Sequence, residues 1–276
     1  MSERYVIHGE TLQSLVDSVK NQTGTTDKIT ISQMVDKIDN LQEEILRAFI
    51  ENNTIKISCE DIEIIRKNSF YKNINLKDIN FPLVKEIEHS AFYGCSSLTS
   101  VSFPSLTTIG SSAFCLCSSL SDVNMPLLKT IDNSGFNKSN LREAVFNLVT
   151  DAGQGAFREC KQLTTVLMPN LINLGSWSFY ACTRLSKVDF GSVTSIGDNS
   201  FYSCSALKTL ILRSNTMCTI PSVNVFKSMP IASGGTGYIY VPSSLVDTYK
   251  ADSVWSTFAT QIRAIEDYPD ICSTNE

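Results

Sequence analysis

The stretch Ala91-Phe92-Tyr93-Gly94-Cys95-Ser96-Ser97-Leu98-Thr99-Ser100-Val101-Ser102-Phe103-Pro104-Ser105-Leu106-Thr107-Thr108-Ile109-Gly110 holds nearly one full copy of a unit that recurs down most of the chain. Its phenylalanine returns as Phe70, Phe92, Phe114, Phe136, Phe157, Phe179 and Phe201, in steps of 22 residues with one step of 21. A fixed period of this length marks a solenoid, in which each unit is one turn of a coil stacked on its neighbours.

The other slots recur with it. Cys95, Leu98, Val101, Phe103-Pro104, Leu106 and Ile109 become Cys117, Leu120, Val123, Met125-Pro126, Leu128 and Ile131, and later Cys182, Leu185, Val188, Phe190, Val193 and Ile196. Leu98-x-x-Val101-x-Phe103 alternates in and out as a strand does, and the Ala-Phe-x-x-Cys segment suits a short helical or turn return. Proline just past the strand cannot donate a ladder hydrogen bond and ends the pairing. The glycine after Ile109 and Ile196 is expected to supply a turn conformation that other residues adopt poorly. The period predicts strands near residues 55–59, 76–81, 98–103, 120–125, 141–146, 163–168, 185–190 and 207–212.

The Phe136 unit tests the register. Leu141 follows the phenylalanine after five residues instead of six, Ser139 takes the cysteine slot and Ala144 the valine slot, yet Phe146, Val149 and Gly153 fall back in place. Deletions in solenoids fall in turns because the stacked strand is pinned by its neighbours.

The unit resembles the BspA-like leucine-rich repeats found in bacterial and protist surface proteins and some phage proteins. The likeness covers roughly residues 55 to 213, with a partial first unit at Ile57, Cys59, Ile62 and Ile65. The expected fold is an α/β solenoid: a right-handed coil of about eight turns with one parallel sheet, a helical cap before it and an α+β cap after it. The resemblance implies binding or adhesion rather than catalysis.

Three regions follow: 1–50 as a strand with two helices, 51–213 as the solenoid, and 214–276 as a C-terminal cap with a loose tail from about 270. In the first, Leu12, Leu15, Val16 and Val19 share one helical face, and Thr30-x-x-Gln33 reads as a capping box opening a second helix. The block from Tyr5-Val6-Ile7-His8-Gly9 to Met34-Val35-Asp36-Lys37-Ile38 resembles an N-terminal module of tail-associated proteins in phages and prophages of Firmicutes. Ile31, Met34, Ile38, Leu41 and Ile45 keep a 3-4 spacing that suits either a coiled-coil seam for homo-oligomerisation or a helix capping the first solenoid edge. The opening residues have no basic start or apolar core of a secretory signal, so either a signal has been removed or the protein reaches its place of action by another route, such as assembly into a particle inside the cell. In the C-terminal region Tyr238-Ile239-Tyr240-Val241 reads as a strand and Ser243 or Ser244 as a helix cap. Trp255, Phe258, Ile262 and Ile265 stand at helical spacing, expected to plug the solenoid's end.

Composition narrows the function. Net charge is −5 with 42% hydrophobic and 18% charged residues, too acidic for a phosphate-backbone binder and without a basic aromatic stretch, so no nucleic-acid partner is expected. No apolar run reaches the roughly 18 residues of a membrane span, so no membrane insertion is expected. Of nine cysteines, Cys95, Cys117, Cys160, Cys182 and Cys204 share one slot and stack about 4.8 Å apart with parallel side chains, poor geometry for disulfides. They read as small buried apolar groups, and Cys115-x-Cys117 lacks the second ligand pair a metal needs. Two histidines, His8 and His89, belong to no nucleophile, metal or phosphate motif. No enzyme, cofactor or metal is expected.

The candidate binding residues are outward strand positions. One row runs Asn80, Ser102, Asn124, Val145, Leu167, Asp189 and Ile211; its neighbour runs Asp78, Ser100, Asp122, Glu143, Thr165, Lys187 and Thr209. Val145, Leu167 and Ile211 put apolar groups where water should be, which marks a contact surface or a face covered by the C-terminal segment or a neighbouring subunit. Trp177, Tyr180 and Tyr202 form a second candidate, suited to glycans or to protein. The expected partners are a host cell-surface protein or glycan, or other tail proteins, on a virion tail or extracellular particle. The alternative is a bacterial cell-surface adhesin whose signal peptide has been removed.

Overall fold

The structure is a computed structural model that describes residues 56–58, 62–232 and 234–272. The expected N-terminal helices, with Ile31, Met34, Ile38, Leu41 and Ile45, lie outside the described residues, as does Cys59. Within them the chain coils as the period requires, and every predicted strand position holds a strand.

One side carries β1 (Lys56–Ser58), β3 (Asp78–Asn80), β5 (Ser100–Ser102) and β7 (Asp122–Asn124), followed by β9 (Glu143–Val145), β11 (Thr165–Met168), β13 (Lys187–Phe190) and β15 (Thr209–Leu212). A second side carries the two-residue strands β2 (Ile64–Ile65), β4 (Glu86–Ile87), β6 (Thr108–Ile109), β8 (Thr130–Ile131), β10 (Asp151–Ala152), β12 (Asn173–Leu174) and β14 (Ser195–Ile196). All pairings are parallel and follow the repeat: Val101 pairs with Val123, and Val166 with Val188. A third side is a stack of turns. There Phe70, Phe92 and Phe114 donate their N–H to the carbonyls of Ala91, Ala113 and Gly135 in the next coil.

The interior follows from the slots. Leu98, Val101, Phe103, Leu106, Ile109, Phe114 and Cys117 are all buried, and so are their counterparts in nearly every coil. The phenylalanine rings stack face to face from Phe70 to Phe201, centroids 4.8–5.6 Å apart. Five slot cysteines donate S–H to the phenylalanine carbonyl one coil back, as Cys95 does to Phe70 at 3.0 Å and Cys204 to Phe179 at 3.0 Å. The slot therefore takes a small group that is apolar to its neighbours and a donor to one carbonyl. The eight described cysteines are all free thiols.

Five expectations are corrected. The single parallel sheet is three: four strands from β1 to β7, six beginning at β9, and seven on the second side. The strand side breaks between β7 and β9, where the unit is one residue short, because the segment from Ser139 to Leu141 that leads into β9 has lost a residue. The second side bridges the same step through β8 and β10. Glycine after the isoleucine serves close approach rather than an unusual turn: a Cβ on Gly197 would lie 2.3 Å from the Ser176 nitrogen, and one on Gly110 2.7 Å from the Ile87 oxygen. The left-handed residues instead flank each phenylalanine two positions before and after, as with Ser112 (φ 59°) and Leu116 (φ 62°) around Phe114. Those two turns let alternate N–H groups reach the next coil.

The remaining corrections concern the C-terminal region. Trp255, Phe258, Ile262 and Ile265 do not form one helix: Trp255–Phe258 is a 3-10 turn and Ile262–Ala264 is strand β17. Stacking also continues past residue 213. Phe226 lies 6.0 Å from Phe201 as an eighth ring, closed by Phe258 edge-on at 5.1 Å and by Trp255. β16 (Tyr238–Val241) pairs with β15, and β17 with β16, so the strand side gains two rungs. A short helix α1 (Val246–Ala251) buries Tyr249, whose hydroxyl accepts from the Cys218 N–H at 2.7 Å. Residues 270–272 are not a loose tail but part of α2 (Pro269–Cys272), docked on the strand side.

Candidate binding surface

The outward row of the strand side changes character along its length. Asn80, Ser102 and Asn124 form a polar row, in which the Asn124 amide donates to Ser102 at 3.0 Å; on the neighbouring row the Ser100 hydroxyl donates to Asp78 at 2.6 Å. Beyond the sheet break the row becomes Val145, Leu167, Asp189, Ile211 and Tyr240, aligned by the ladder pairings.

α2 covers the far end of that row. Ile211 is fully buried in a small cluster with Tyr240 and Cys272, against which Ile265 and Tyr268 pack. The buried Asp189 carboxylate takes two hydrogen bonds from Arg213, both 2.7 Å, and Arg213 also donates to the Cys272 carbonyl. The carboxylate raises the Arg213 pKa, with burial opposing it. Lys187 donates to the Ile271 carbonyl at 3.0 Å. Ile211 and Asp189 are therefore covered by the C-terminal segment, one of the two readings offered for this row. Val145 stays 49% exposed and Leu167 half-buried beside it, with Thr165 and Thr209 half-buried on the neighbouring row. The sequence pattern pointed to none of Arg213, Tyr240, Tyr268 and Cys272, because α2 comes onto the strand side from 59 residues beyond Arg213.

The tyrosines on the turn side are arranged differently from expectation. Tyr180 and Tyr202 stack at 5.4 Å with planes 12° apart. Arg158 sits 5.0 Å over the free face of Tyr180, and Lys227 5.9 Å over that of Tyr202. All four ring faces are occupied, so these tyrosines present edges and hydroxyls. Trp177 is separate: it is 38% exposed with φ 56°. Beside its neighbour Ser176 lies a shallow hollow of about 450 Å³, lined by Leu174, Ser195, Ile196, Asp198, Thr219 and Ile220 among others.

Among the described residues no cluster of three His, Cys, Asp or Glu side chains could hold a metal, and no helix is long and apolar enough to cross a membrane. Burial is the main cause of raised thiol pKa values, to about 12 for Cys160, Cys204 and Cys218, so these groups stay protonated and unreactive at neutral pH. His89 is exposed on a turn.

A family profile described as "BspA type Leucine rich repeat region" matches residues 44–164 and 129–236, in six copies. The chain belongs to this family. Two solved structures are similar in fold: a leucine-rich repeat protein from Bacteroides ovatus, 23% identical over 70% of this chain and 52% of that one with a TM-score of 0.58, and the T. pallidum leucine-rich repeat protein, 27% identical over 56% and 78% with a TM-score of 0.52. The chain spans about half the length of the Bacteroides ovatus protein. No curated protein matches it.

Proposed function

We propose that this BspA-type protein is a non-catalytic binding protein that meets its partner on the strand side at the sheet break. The observation that carries this reading is Val145, 49% exposed, with the half-buried Leu167 beside it as its partner in the β9–β11 ladder. Adjoining exposed apolar side chains on a regular sheet are uncommon without a partner. Thr165, Glu143 and the polar ladder before the break would frame the contact as a hydrogen-bonding rim.

The partner we favour is a host cell surface or another tail protein, with the chain carried on a phage or phage-like tail; the support is the N-terminal resemblance of residues 5 to 38, and residues 1–50 would attach or oligomerise it. A bacterial surface adhesin is the second reading, favoured by the repeat class. Immunogold electron microscopy separates the two: label on particle tails supports the first, label on the cell envelope the second. The contact itself is tested by adsorption of fluorescently labelled protein to Firmicutes cells. Replacing Val145 and Leu167 together by serine is expected to weaken adsorption at least about ten-fold, the equivalent of about 1.4 kcal/mol, with the melting curve unchanged. Equal adsorption would remove the strand side from consideration.

A further inference from the structure

The sheet break leaves two strand edges facing one another with no bond between them. Asp122 donates to the Thr99 carbonyl and Asn124 accepts from Phe103, so the alternate residue of β7, Val123, turns its N–H and C=O away from β5 and toward β9. Phe146 donates to Leu167 and Arg142 accepts from Thr164, so on β9 Glu143 and Val145 turn theirs toward β7. β7 and β9 do not pair, and the N–H groups of Val123, Met125, Glu143 and Val145 have no acceptor among the described residues. The wall is open there as well: of the seven valine-slot residues from Ile79 to Leu210, Val123 alone is not buried.

Such edges are a template for pairing with another chain. The far edge of the six-stranded sheet is closed by the chain itself: on β17 the Arg263 guanidinium donates to the Thr260 and Ile262 carbonyls, at 2.8 and 2.9 Å. At the break the nearby hydroxyl of Ser121 and amide of Asn124 bond to the side chains of Asp122 and Ser102 and leave the edges uncapped. Apolar groups stand beside those edges, with Val145 49%, Leu127 46% and Leu148 38% exposed. The outward Asp122 and Glu143 are exposed, and among the described residues neither is in an ion pair, with Arg142 or with any other cation. Backbone donors and acceptors at alternate residues, apolar side chains and two uncompensated carboxylates fit an extended polypeptide that alternates apolar residues and carries a lysine or arginine. A glycan offers hydroxyls, but no alternation of N–H and C=O at strand spacing.

We propose that the gap between β7 and β9 takes up an extended, basic segment of a partner protein, which adds to a free edge as a further strand. The inference deepens the strand-side reading by naming the kind of partner and how it binds, and it rests on that reading for its location. The residue missing ahead of β9 is then what keeps the edges free, since a full 22-residue step would let the chain pair them internally. Backbone pairing supplies affinity, and Asp122 and Glu143 select the sequence.

The test uses the whole chain and a displayed library of random linear peptides, counter-selected on a variant with one serine inserted between Ser139 and Asn140 to close the gap. Enriched peptides are expected to alternate apolar with polar residues and to carry Lys or Arg. In the complex, amide exchange followed by NMR should slow at least about ten-fold at Val123 and Met125 or at Glu143 and Val145. N-methylation of alternate peptide nitrogens should abolish binding in at least one of the two registers. Glu143→Lys should weaken it at least about ten-fold with the melting curve unchanged. No enrichment, peptides that bind without slowing those amides, or binding undiminished by N-methylation in either register or by Glu143→Lys would each overturn the assignment. The same amides already protected in the free protein, and released on dilution, would overturn it in favour of a second copy of this chain. Loss of cell adsorption in the Val145 and Leu167 double-serine variant, with no slowing at the four amides, would sink the added strand alone and leave the strand-side contact standing as one made by side chains.

Discussion

The coils before the sheet break and those after it have the same interior and opposite exteriors. From β3 to β7 the inward residues are Ile79, Val101 and Val123 and the outward row is Asn80, Ser102 and Asn124, open to water. From β11 to β15 the inward residues are Val166, Val188 and Leu210, while the outward row is Leu167, Asp189 and Ile211, largely closed by α2. The stacking code therefore constrains only half of each strand. The outward half is free to vary, and there the chain placed a solvated polar ladder at one end and a docking strip for its own C-terminus at the other.

Alkali should separate the two halves most sharply. The thiols of Cys160, Cys204 and Cys218 have folded values of about 12 against an ordinary 9.0, so the stability they contribute is complete below pH 9.0 and is lost as the pH rises toward about 12. Cys182 is raised in the same direction, also mainly by burial. The half after the break holds these four; the half before it holds Cys115 and Cys117, raised in the same direction by burial, beside Cys95. Hydrogen exchange across that pH range should show protection failing first in β11 to β15; failure beginning in β3 to β7 would contradict the thiol account.

Core truncation should treat the halves alike. Phe114→Ala and Phe157→Ala, one on each side of the break, should each cost about 3–5 kcal/mol in urea denaturation. A difference beyond about 1 kcal/mol would mean that the interiors are not equivalent. Arg213→Ala acts on one half only: it leaves the buried Asp189 carboxylate without its partner and frees α2, at a cost of about 3 kcal/mol. Asn80→Ala on the open ladder should change stability by less than about 0.5 kcal/mol.

The smallest expected effect concerns the break itself. Inserting one serine between Ser139 and Asn140 restores the 22-residue step and should let β7 and β9 pair. Stabilisation of about 1 kcal/mol, the worth of a net backbone hydrogen bond or two, is the expected result. Loss of stability would show that the step is held by something other than the missing residue.

Much of the fold was legible because its contacts repeat at short, constant separation. Phe92 meets Phe114 for the same reason that Phe179 meets Phe201, and a slot pattern reveals both. The candidate surface was legible only in part. Val145 and Leu167 stood out as apolar residues in an outward row; Val145 is left exposed and Leu167 half-buried. That Ile211 would be covered could be posed as an alternative but not decided, since the covering residues Tyr268 and Cys272 lie outside any repeat. Trp177 was visible as an aromatic. Its left-handed backbone and the hollow beside Ser176 were not, because the reading placed the unusual turn at glycine.

By itself the sequence determined the coil, its period, the strand register and the identity of the buried slots, since each coil repeats the same local choice and stacking multiplies it. The tertiary structure alone decided the division of the strand side into two sheets, the eighth ring at Phe226, the placing of Lys227 over Tyr202, and the docking of α2 through Arg213 and Lys187. The physical reason is separation along the chain. Lys187 reaches Ile271 across 84 residues and Arg213 reaches Cys272 across 59, and no period relates them, so only the folded chain brings these partners together.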